Sequence, residues 1–146
     1  MASNQLIESI MKHEGTVLSA EGLHTSYRDH LGYLTIGYGA LLDERLEISE
    51  EVAVLLLQAE IKEKEERLHS VIGWKESGPV RRQVFLEMAY WLGVGGCLRF
   101  KRMWAAVRDK DWPRAAAEMR DSRVYRDPQT RGRMDTLANR IELGTW

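Results

Sequence analysis

The segment from Tyr27 to Gly39 constrains the fold more than any other part of this chain. Its thirteen residues, YRDHLGYLTIGYG, alternate with the period of two that is typical of a β-hairpin. We expect the turn near residues 29–32, where an aspartate and a glycine favour a chain reversal, and a second strand that runs on to Gly39. The other periodic segments are helical, so the pattern predicts a mainly helical α+β protein with one small β-element.

Apolar residues at helical spacing predict a helix on each side of this hairpin. The helix that precedes it ends at Gly15, and its apolar face is formed by Leu6, Ile7, Ile10 and Met11. A long helix is expected after Ser49, with an apolar stripe in its first half that we expect to be buried: Val52, Leu55, Leu56 and Ala59. Its second half, residues 60–67, is so polar that we expect it to lie in water.

From residue 80 to residue 146 every periodic segment is helical, and methionines and aromatic residues recur at helical spacing. We expect most of these side chains to form the hydrophobic core. The chain has 146 residues, which is enough for one domain with a sizeable core. Its single Cys97 excludes an internal disulfide and is expected to be a small buried residue, not a nucleophile.

The net charge of −1 hides an asymmetry between the two halves of the chain. Residues 1–74 carry a net charge of −7, and residues 75–146 carry +6. A basic half suits an anionic polymer, and solvated helix faces are the alternative explanation. The arginines are not interleaved with exposed aromatic residues, so we do not expect a nucleic-acid partner.

Two carboxylates and a hydroxyl form the best organised set of reactive groups in the sequence. Glu14 continues the apolar face of the first helix, where loss of water would favour a protonated acid that can protonate a glycosidic oxygen. Asp29 lies in a polar turn and is expected to stay ionised, and Thr35 could orient an attacking water molecule. Each residue also has an ordinary interpretation: a helix end exposed to solvent, a turn-forming aspartate, and a strand threonine.

The residues around this set resemble the active-site signature of the phage-type lysozymes, which are glycoside hydrolases of family twenty-four. The resemblance rests on His13-Glu14-Gly15, Tyr27-Arg28-Asp29, Gly32 and Thr35-Ile36-Gly37-Tyr38-Gly39. It continues downstream in residues 88–93, 122–125 and 144–146, and it therefore covers nearly the whole chain.

The resemblance implies a lysozyme-like fold in one domain, residues 1–146. A small lobe (about 15–50) would be joined by a connecting helix (about 50–72) to a helical lobe (about 73–146) that also takes in the N-terminal helix. It implies hydrolysis of the β-1,4 bond between N-acetylmuramic acid and N-acetylglucosamine in bacterial peptidoglycan, which leads to lysis of the host cell. Neither a cofactor nor a metal ion is expected.

The resemblance also suggests roles for individual residues. Glu14 matches the general acid, Asp29 the second carboxylate and Thr35 the hydroxyl that helps to place the water. The positions that bind the glycan are matched by Gly39, Leu41 and Tyr90. Arg131 matches a supporting arginine that pairs with the catalytic glutamate.

One departure from the family opens an alternative for the acid. Fourteen residues separate Glu14 from Asp29, more than is usual in the family, and the extra residues fall in the segment 16–26. That segment contains a second glutamate followed by glycine, at Glu21. We prefer Glu14, because an apolar helix precedes it and can fix its position.

The sequence also supports expectations about location and partners. The N-terminal region has Lys12 as its first basic residue and lacks a long apolar run, so we expect no signal peptide and no stable insertion into a membrane. The protein would be made in the host cytoplasm and act on the cell wall after release, as a monomer. Two alternatives remain: a glycan-binding or structural protein with impaired catalysis, and a lytic transglycosylase.

Overall fold

The computed structural model describes residues 4–146, which divide into two compact units with the bounds Met1–Ser49 and Glu50–Trp146. The first unit contains helix α1 (Asn4–Glu14) and a small antiparallel sheet, and the second unit is helical. The protein is thus mainly helical with one small sheet, which confirms the predicted α+β, lysozyme-like fold class.

The sheet of the first unit has three strands in the order β1-β2-β3. They are β1 (Tyr27–Arg28), β2 (Leu34–Ile36) and β3 (Ala40–Leu41). The turn predicted near residues 29–32 connects β1 to β2, as expected. The second strand, however, ends at Ile36 and not at Gly39. Gly37 and Gly39 have φ angles of +62° and +98°, which glycine adopts readily, and they form a second turn that leads into a strand the pattern did not predict.

The segment 16–26, which we expected to be irregular, contains a short hairpin of its own. Leu18 and His24 form an antiparallel bridge, and the Ser19 N–H donates to the Leu23 carbonyl at 2.7 Å. The hairpin therefore carries the extra residues of this chain in an ordered turn between α1 and β1.

The second unit consists of six α-helices and one short 3-10 helix. In chain order they are α2 (Glu50–Leu68), the 3-10 helix Lys75–Ser77, α3 (Gly78–Leu98), α4 (Lys101–Arg108), α5 (Trp112–Arg120), α6 (Arg123–Arg126) and α7 (Arg131–Leu143). Helix α3 is kinked at Gly93, where φ is 75° and ψ is 156°. Local sequence explains two of the helix starts: Asp111 accepts the Arg114 N–H before α5, and Ser122 accepts the Tyr125 N–H before α6.

Methionine and aromatic side chains dominate the core of this unit, as predicted. The largest fully buried residues include Trp74, Phe85, Met88, Met103, Met119, Met134, Leu137 and Ile141. Cys97 is also fully buried among them. Helix α7 packs against α5 and α3, and α5 packs against α4, so the apolar faces of these helices meet in one cluster.

The apolar stripe predicted for the long helix is not buried. Leu55 and Leu56 are 63% and 56% exposed, and Leu68, its last residue, is the buried residue of α2. The helix also ends at residue 68, earlier than the expected limit near 72. Most residues of its polar second half are exposed, although the side chain of Lys64, which pairs with the exposed Glu60 at 2.6 Å, is largely covered. In residues 4–146 no helix is both long enough and apolar enough to cross a membrane.

Candidate active site

Glu14 is the last residue of α1, and the end of this helix places its carboxylate against a glycine turn. Gly15 follows with a φ of +66° and donates its N–H to the Met11 carbonyl at 3.3 Å, which ends the helix. A Cβ atom built on Gly39 would lie 3.7 Å from Glu14 Oε2 and 4.0 Å from Glu14 Cδ. The Glu14 carboxylate therefore lies beside the turn between β2 and β3, at van der Waals distance from the place where a side chain at residue 39 would begin.

The side chain of Glu14 is exposed, and α1 contains no buried residue. This differs from our expectation that the apolar face of the helix would partly remove the carboxylate from water. The apolar residues Ile7, Ile10 and Met11 are themselves exposed. Helix α1 therefore does not shield the Glu14 carboxylate from water.

Asp29 is half-buried and holds the turn between β1 and β2 together. Its Oδ1 accepts the backbone N–H groups of Leu31 and Tyr33, each at 2.9 Å. The backbone carbonyl of Asp29 accepts the Gly32 N–H at 2.9 Å, and the Arg28 guanidinium donates to the Gly32 carbonyl at 2.8 Å. These hydrogen bonds hold the Asp29 carboxylate in one orientation and stabilise the turn between β1 and β2.

Thr35 lies in the middle strand of the sheet and is only 2% exposed. It pairs with Tyr27 on one side and with Leu41 on the other. Its hydroxyl donates to the Tyr33 carbonyl at 3.0 Å. The position of the hydroxyl oxygen is thereby fixed, and the oxygen keeps lone pairs that can accept a hydrogen bond.

The alternative acid, Glu21, lies at the tip of the hairpin in residues 16–26. It is exposed, and it occupies a turn in which the Gly22 N–H donates to the Ser19 carbonyl at 2.9 Å. The carboxylate found beside Gly39 is that of Glu14. The two glutamates thus differ in their surroundings: one contacts the glycine turn, and the other belongs to a solvent-exposed loop tip.

Two of the residues matched by resemblance lie in the second unit. Tyr90 is 48% exposed, and Lys64 Nζ lies 5.7 Å from the centroid of its ring. Arg131 is exposed, and its Nε donates to the Tyr125 carbonyl at 3.1 Å. The first unit supplies the other members of the set, with Leu41 in β3 directly opposite Thr35. The catalytic and binding roles of all these residues stay predictions.

The buried thiol has the character that the sequence predicted. Burial raises the pKa of Cys97 to about 12, and its Sγ lies 3.8 Å from the Phe85 carbonyl oxygen. A thiol with so high a pKa is almost entirely protonated near neutral pH and is therefore a poor nucleophile.

Sequence reasoning missed one pair of contacts beside the site. Thr16 Oγ1 and His24 Nδ1 form a hydrogen bond of 2.9 Å, and the His24 ring meets the Tyr38 ring edge-on with centroids 5.2 Å apart. Thr16 and His24 belong to no recognisable motif, and their hydrogen bond joins positions eight residues apart, a spacing that matches no regular element. Among residues 4–146, His, Cys, Asp and Glu side chains form no group of three that could hold a metal ion.

Comparison with known proteins places the chain in a family. The family model described as Phage lysozyme matches residues 18–141. The chain is 29% identical to the pre-baseplate central spike protein Gp5 of Enterobacteria phage T4, an alignment that covers 85% of this chain but only 26% of the spike protein. It is 27% identical to probable T4-type lysozyme 1 of Dictyostelium discoideum, over 82% of this chain and 86% of that protein.

The chain thus spans about a quarter of the first relative and most of the second. The family match begins after Glu14 and includes Glu21, so the match itself does not favour Glu14 as the acid. The position of the Glu14 carboxylate beside Gly39 is independent of that alignment. Because the match extends over most of the sequence, the chain belongs to the phage lysozyme family of glycoside hydrolases.

Proposed function

We propose that this protein hydrolyses the β-1,4 bond between N-acetylmuramic acid and N-acetylglucosamine in bacterial peptidoglycan. Glu14 is the general acid, Asp29 is the second carboxylate and Thr35 helps to place the attacking water. The observation that supports this assignment best is the position of the Glu14 carboxylate beside Gly39. It brings an acid next to a residue that has no side chain, in the same unit as Asp29 and Thr35.

Substrate binding supplies the low polarity that the free site lacks. A sugar chain laid along the turn at Gly39 would cover the Glu14 carboxylate and displace water from it. Loss of water favours the protonated, neutral form of a carboxyl group. Glu14 then donates its proton to the oxygen of the glycosidic bond, and that oxygen leaves as the hydroxyl of the departing sugar.

Asp29 and Thr35 complete the reaction at the anomeric carbon. Oδ1 of Asp29 is occupied by two backbone N–H groups, which leaves Oδ2 to accept the proton of the attacking water. The Thr35 hydroxyl donates to the Tyr33 carbonyl, so its oxygen accepts the other hydrogen of that water. The water oxygen forms the new bond to carbon while the carbon–oxygen bond to the leaving sugar breaks, and the site recovers its proton by exchange with solvent.

Matched substitutions of the two glutamates test this assignment. Glu14→Gln removes the transferable proton without a change in size, and we expect the release of reducing ends from purified peptidoglycan to fall by about 100-fold or more. Glu21→Gln makes the same chemical change at the exposed loop tip, and we expect it to keep activity within about twofold of the unsubstituted protein.

The assay contradicts the assignment if Glu21→Gln is inactive while Glu14→Gln still clears cell walls, because the acid would then lie in the hairpin. Mass spectrometry of the released fragments adds a second check. A hydrolase produces reducing ends, whereas a lytic transglycosylase produces cyclised anhydro-sugar ends without consuming water. We expect reducing ends, since Asp29 is present to accept a proton from the attacking water and Thr35 to place that water.

Lysis of a bacterial host from within is the biological role that we propose for this activity. The enzyme would be made in the host cytoplasm and would reach the wall after release, as a monomer that needs no nucleic-acid or membrane partner. Tyr90 and Leu41 would each contact the glycan strand. The test is expression in a bacterial host together with a membrane-permeabilising agent, where we expect lysis with the unsubstituted protein and none with Glu14→Gln.

The identity of 29% with a phage spike protein supports a second candidate, in which the chain binds glycan as a structural component without cleaving it. The two candidates differ in a simple assay. Sedimentation with purified walls in the absence of new reducing ends would favour the structural role. Sedimentation together with reducing ends would favour the hydrolase.

A further inference from the structure

The hairpin in residues 16–26 is connected to the catalytic acid by a short path. Glu14 ends α1, and Thr16 follows two residues later. The Thr16 hydroxyl is hydrogen-bonded to His24 Nδ1 at 2.9 Å, across the antiparallel bridge that Leu18 makes with His24. This hydrogen bond therefore joins the hairpin that carries the extra residues to the segment that directly follows Glu14.

A second contact ties the same histidine to the glycine turn. The His24 ring meets the Tyr38 ring edge-on, with an interplanar angle of 69° and centroids 5.2 Å apart. Tyr38 precedes Gly39, and the Glu14 carboxylate lies beside Gly39. The contacts close a ring that runs from Glu14 through Thr16, His24, Tyr38 and Gly39 back to Glu14.

We propose that Thr16 and His24 are positioning residues, which hold the Glu14 carboxylate against the turn at Gly39. This inference rests on the proposed function, in which Glu14 is the acid. A longer connection between α1 and β1 allows the end of the helix more freedom relative to the sheet. The His24 imidazole contacts Thr16 at the start of that connection and Tyr38 in the turn before β3. These two contacts restrict the movement of the end of α1 relative to the sheet.

Because Thr16 and His24 lie outside the core, we expect their substitution to affect catalysis more than stability. Thr16 is half-buried and His24 is exposed, and Thr16 and His24 lie outside the buried apolar cluster of residues 68–141. Their loss should therefore change the stability of the folded protein little. Catalysis is far more sensitive to position, since a displacement of about 1 Å in a reacting group can cost about 100-fold in rate.

A pair of substitutions at Thr16 gives the sharpest test. Thr16→Val keeps the shape of the side chain and removes the hydroxyl, and we expect kcat on a soluble peptidoglycan oligosaccharide to fall about tenfold or more, with KM within about twofold. Thr16→Ser keeps the hydroxyl and should retain kcat within about twofold. His24→Ala should resemble Thr16→Val, and His69→Ala, a matched change in the second unit, should leave kcat unaltered.

A geometric measurement decides the inference independently of activity. In NMR spectra of the full chain, Thr16→Val should shift the Gly39 amide resonance, and Thr16→Ser should leave it in place. Equal kcat and unchanged Gly39 resonances in Thr16→Val and His24→Ala would overturn the proposal, even if Glu14→Gln is inactive. An inactive unsubstituted protein would instead reject the proposed function, and the Gly39 resonance would still show whether Thr16 positions the turn. If His24→Ala does not fold, the two variants of Thr16 carry the test alone.

Discussion

At the scale of single residues, Asp29 has two duties that depend on different properties of one carboxylate. The turn between β1 and β2 needs a hydrogen-bond acceptor at Oδ1, because the N–H groups of Leu31 and Tyr33 both point to it. The proposed reaction needs negative charge. An amide oxygen can replace the acceptor but not the charge, so the two duties can be separated by substitution.

We therefore expect Asp29→Asn to keep the fold and lose activity. Release of reducing ends should fall by about 100-fold or more, while the Tm stays within a few degrees of that of the unsubstituted protein. Asp29→Ala should lose activity to a similar extent and also lose about 1–2 kcal/mol of unfolding free energy, because two backbone N–H groups then lack their acceptor. Full activity in Asp29→Asn, measured beside a folded and inactive Glu14→Gln, would remove Asp29 from the mechanism.

At the scale of elements, a side chain of α3 completes the C-terminal end of α7. The Arg81 guanidinium donates from Nε to the Ile141 carbonyl at 2.7 Å, and it lies 4.1 Å from the centre of the Trp112 ring at the start of α5. Gly144 follows the helix with a φ of +69° and donates its N–H to the Arg140 carbonyl. Burial lowers the pKa of Arg81, which nonetheless stays charged near neutral pH because an arginine pKa is ordinarily so high. One cation thus connects three helices.

Arg81→Ala should therefore destabilise the second unit by about 2–3 kcal/mol, from a charged hydrogen bond and a cation–π contact. Arg82 is the matched control. Its Nε donates to the Gly78 carbonyl, which belongs to its own helix, at 3.3 Å, so Arg82→Ala should cost less than about 1 kcal/mol. Urea unfolding followed by circular dichroism measures both, and equal midpoints for the two variants would contradict the proposed connection.

The elements also show what the sequence could and could not predict. Periodicity predicted α1, the first turn of the sheet, the long helix α2 and the helical character of residues 80–146, because apolar spacing is a local property. It missed β3 and overextended β2, since alternation continues through Gly37 and Gly39 although their positive φ angles turn the chain. It also gave no indication that the apolar stripe of α2 is exposed, because burial depends on neighbours that a local pattern does not contain.

The same limit applies to the candidate site. The signature residues could be named from the sequence because their types and spacing match a known family. The contact between Thr16 and His24 could not, because a hydrogen bond between a threonine and a histidine eight residues apart has no periodic pattern. The sequence favours Glu14 over Glu21 only through the apolar helix that precedes Glu14, and it does not show that the Glu14 carboxylate lies beside Gly39.

At the scale of the whole molecule, apolar burial is distributed unequally between the two units. Among residues 4–146, the buried apolar side chains all lie between Leu68 and Ile141. In the first unit Thr35 is buried, while Leu23, Leu31 and Tyr33 are more than half exposed. Since burial of apolar surface is the main driving force of folding, the second unit has the means to be stable on its own and the first has little.

This inequality predicts the behaviour of two fragments. A fragment of residues 50–146 should keep a helical circular dichroism spectrum and melt in one cooperative transition, because its core is complete within it. A fragment of residues 1–49 should show no cooperative transition, because a helix of eleven residues without buried side chains and a sheet of very short strands are marginal in water. Non-cooperative melting of residues 50–146 would mean that the helices depend on the first unit for their stability. A cooperative transition in residues 1–49 would mean that turns and hydrogen bonds, such as those around Asp29, stabilise that unit without an apolar core.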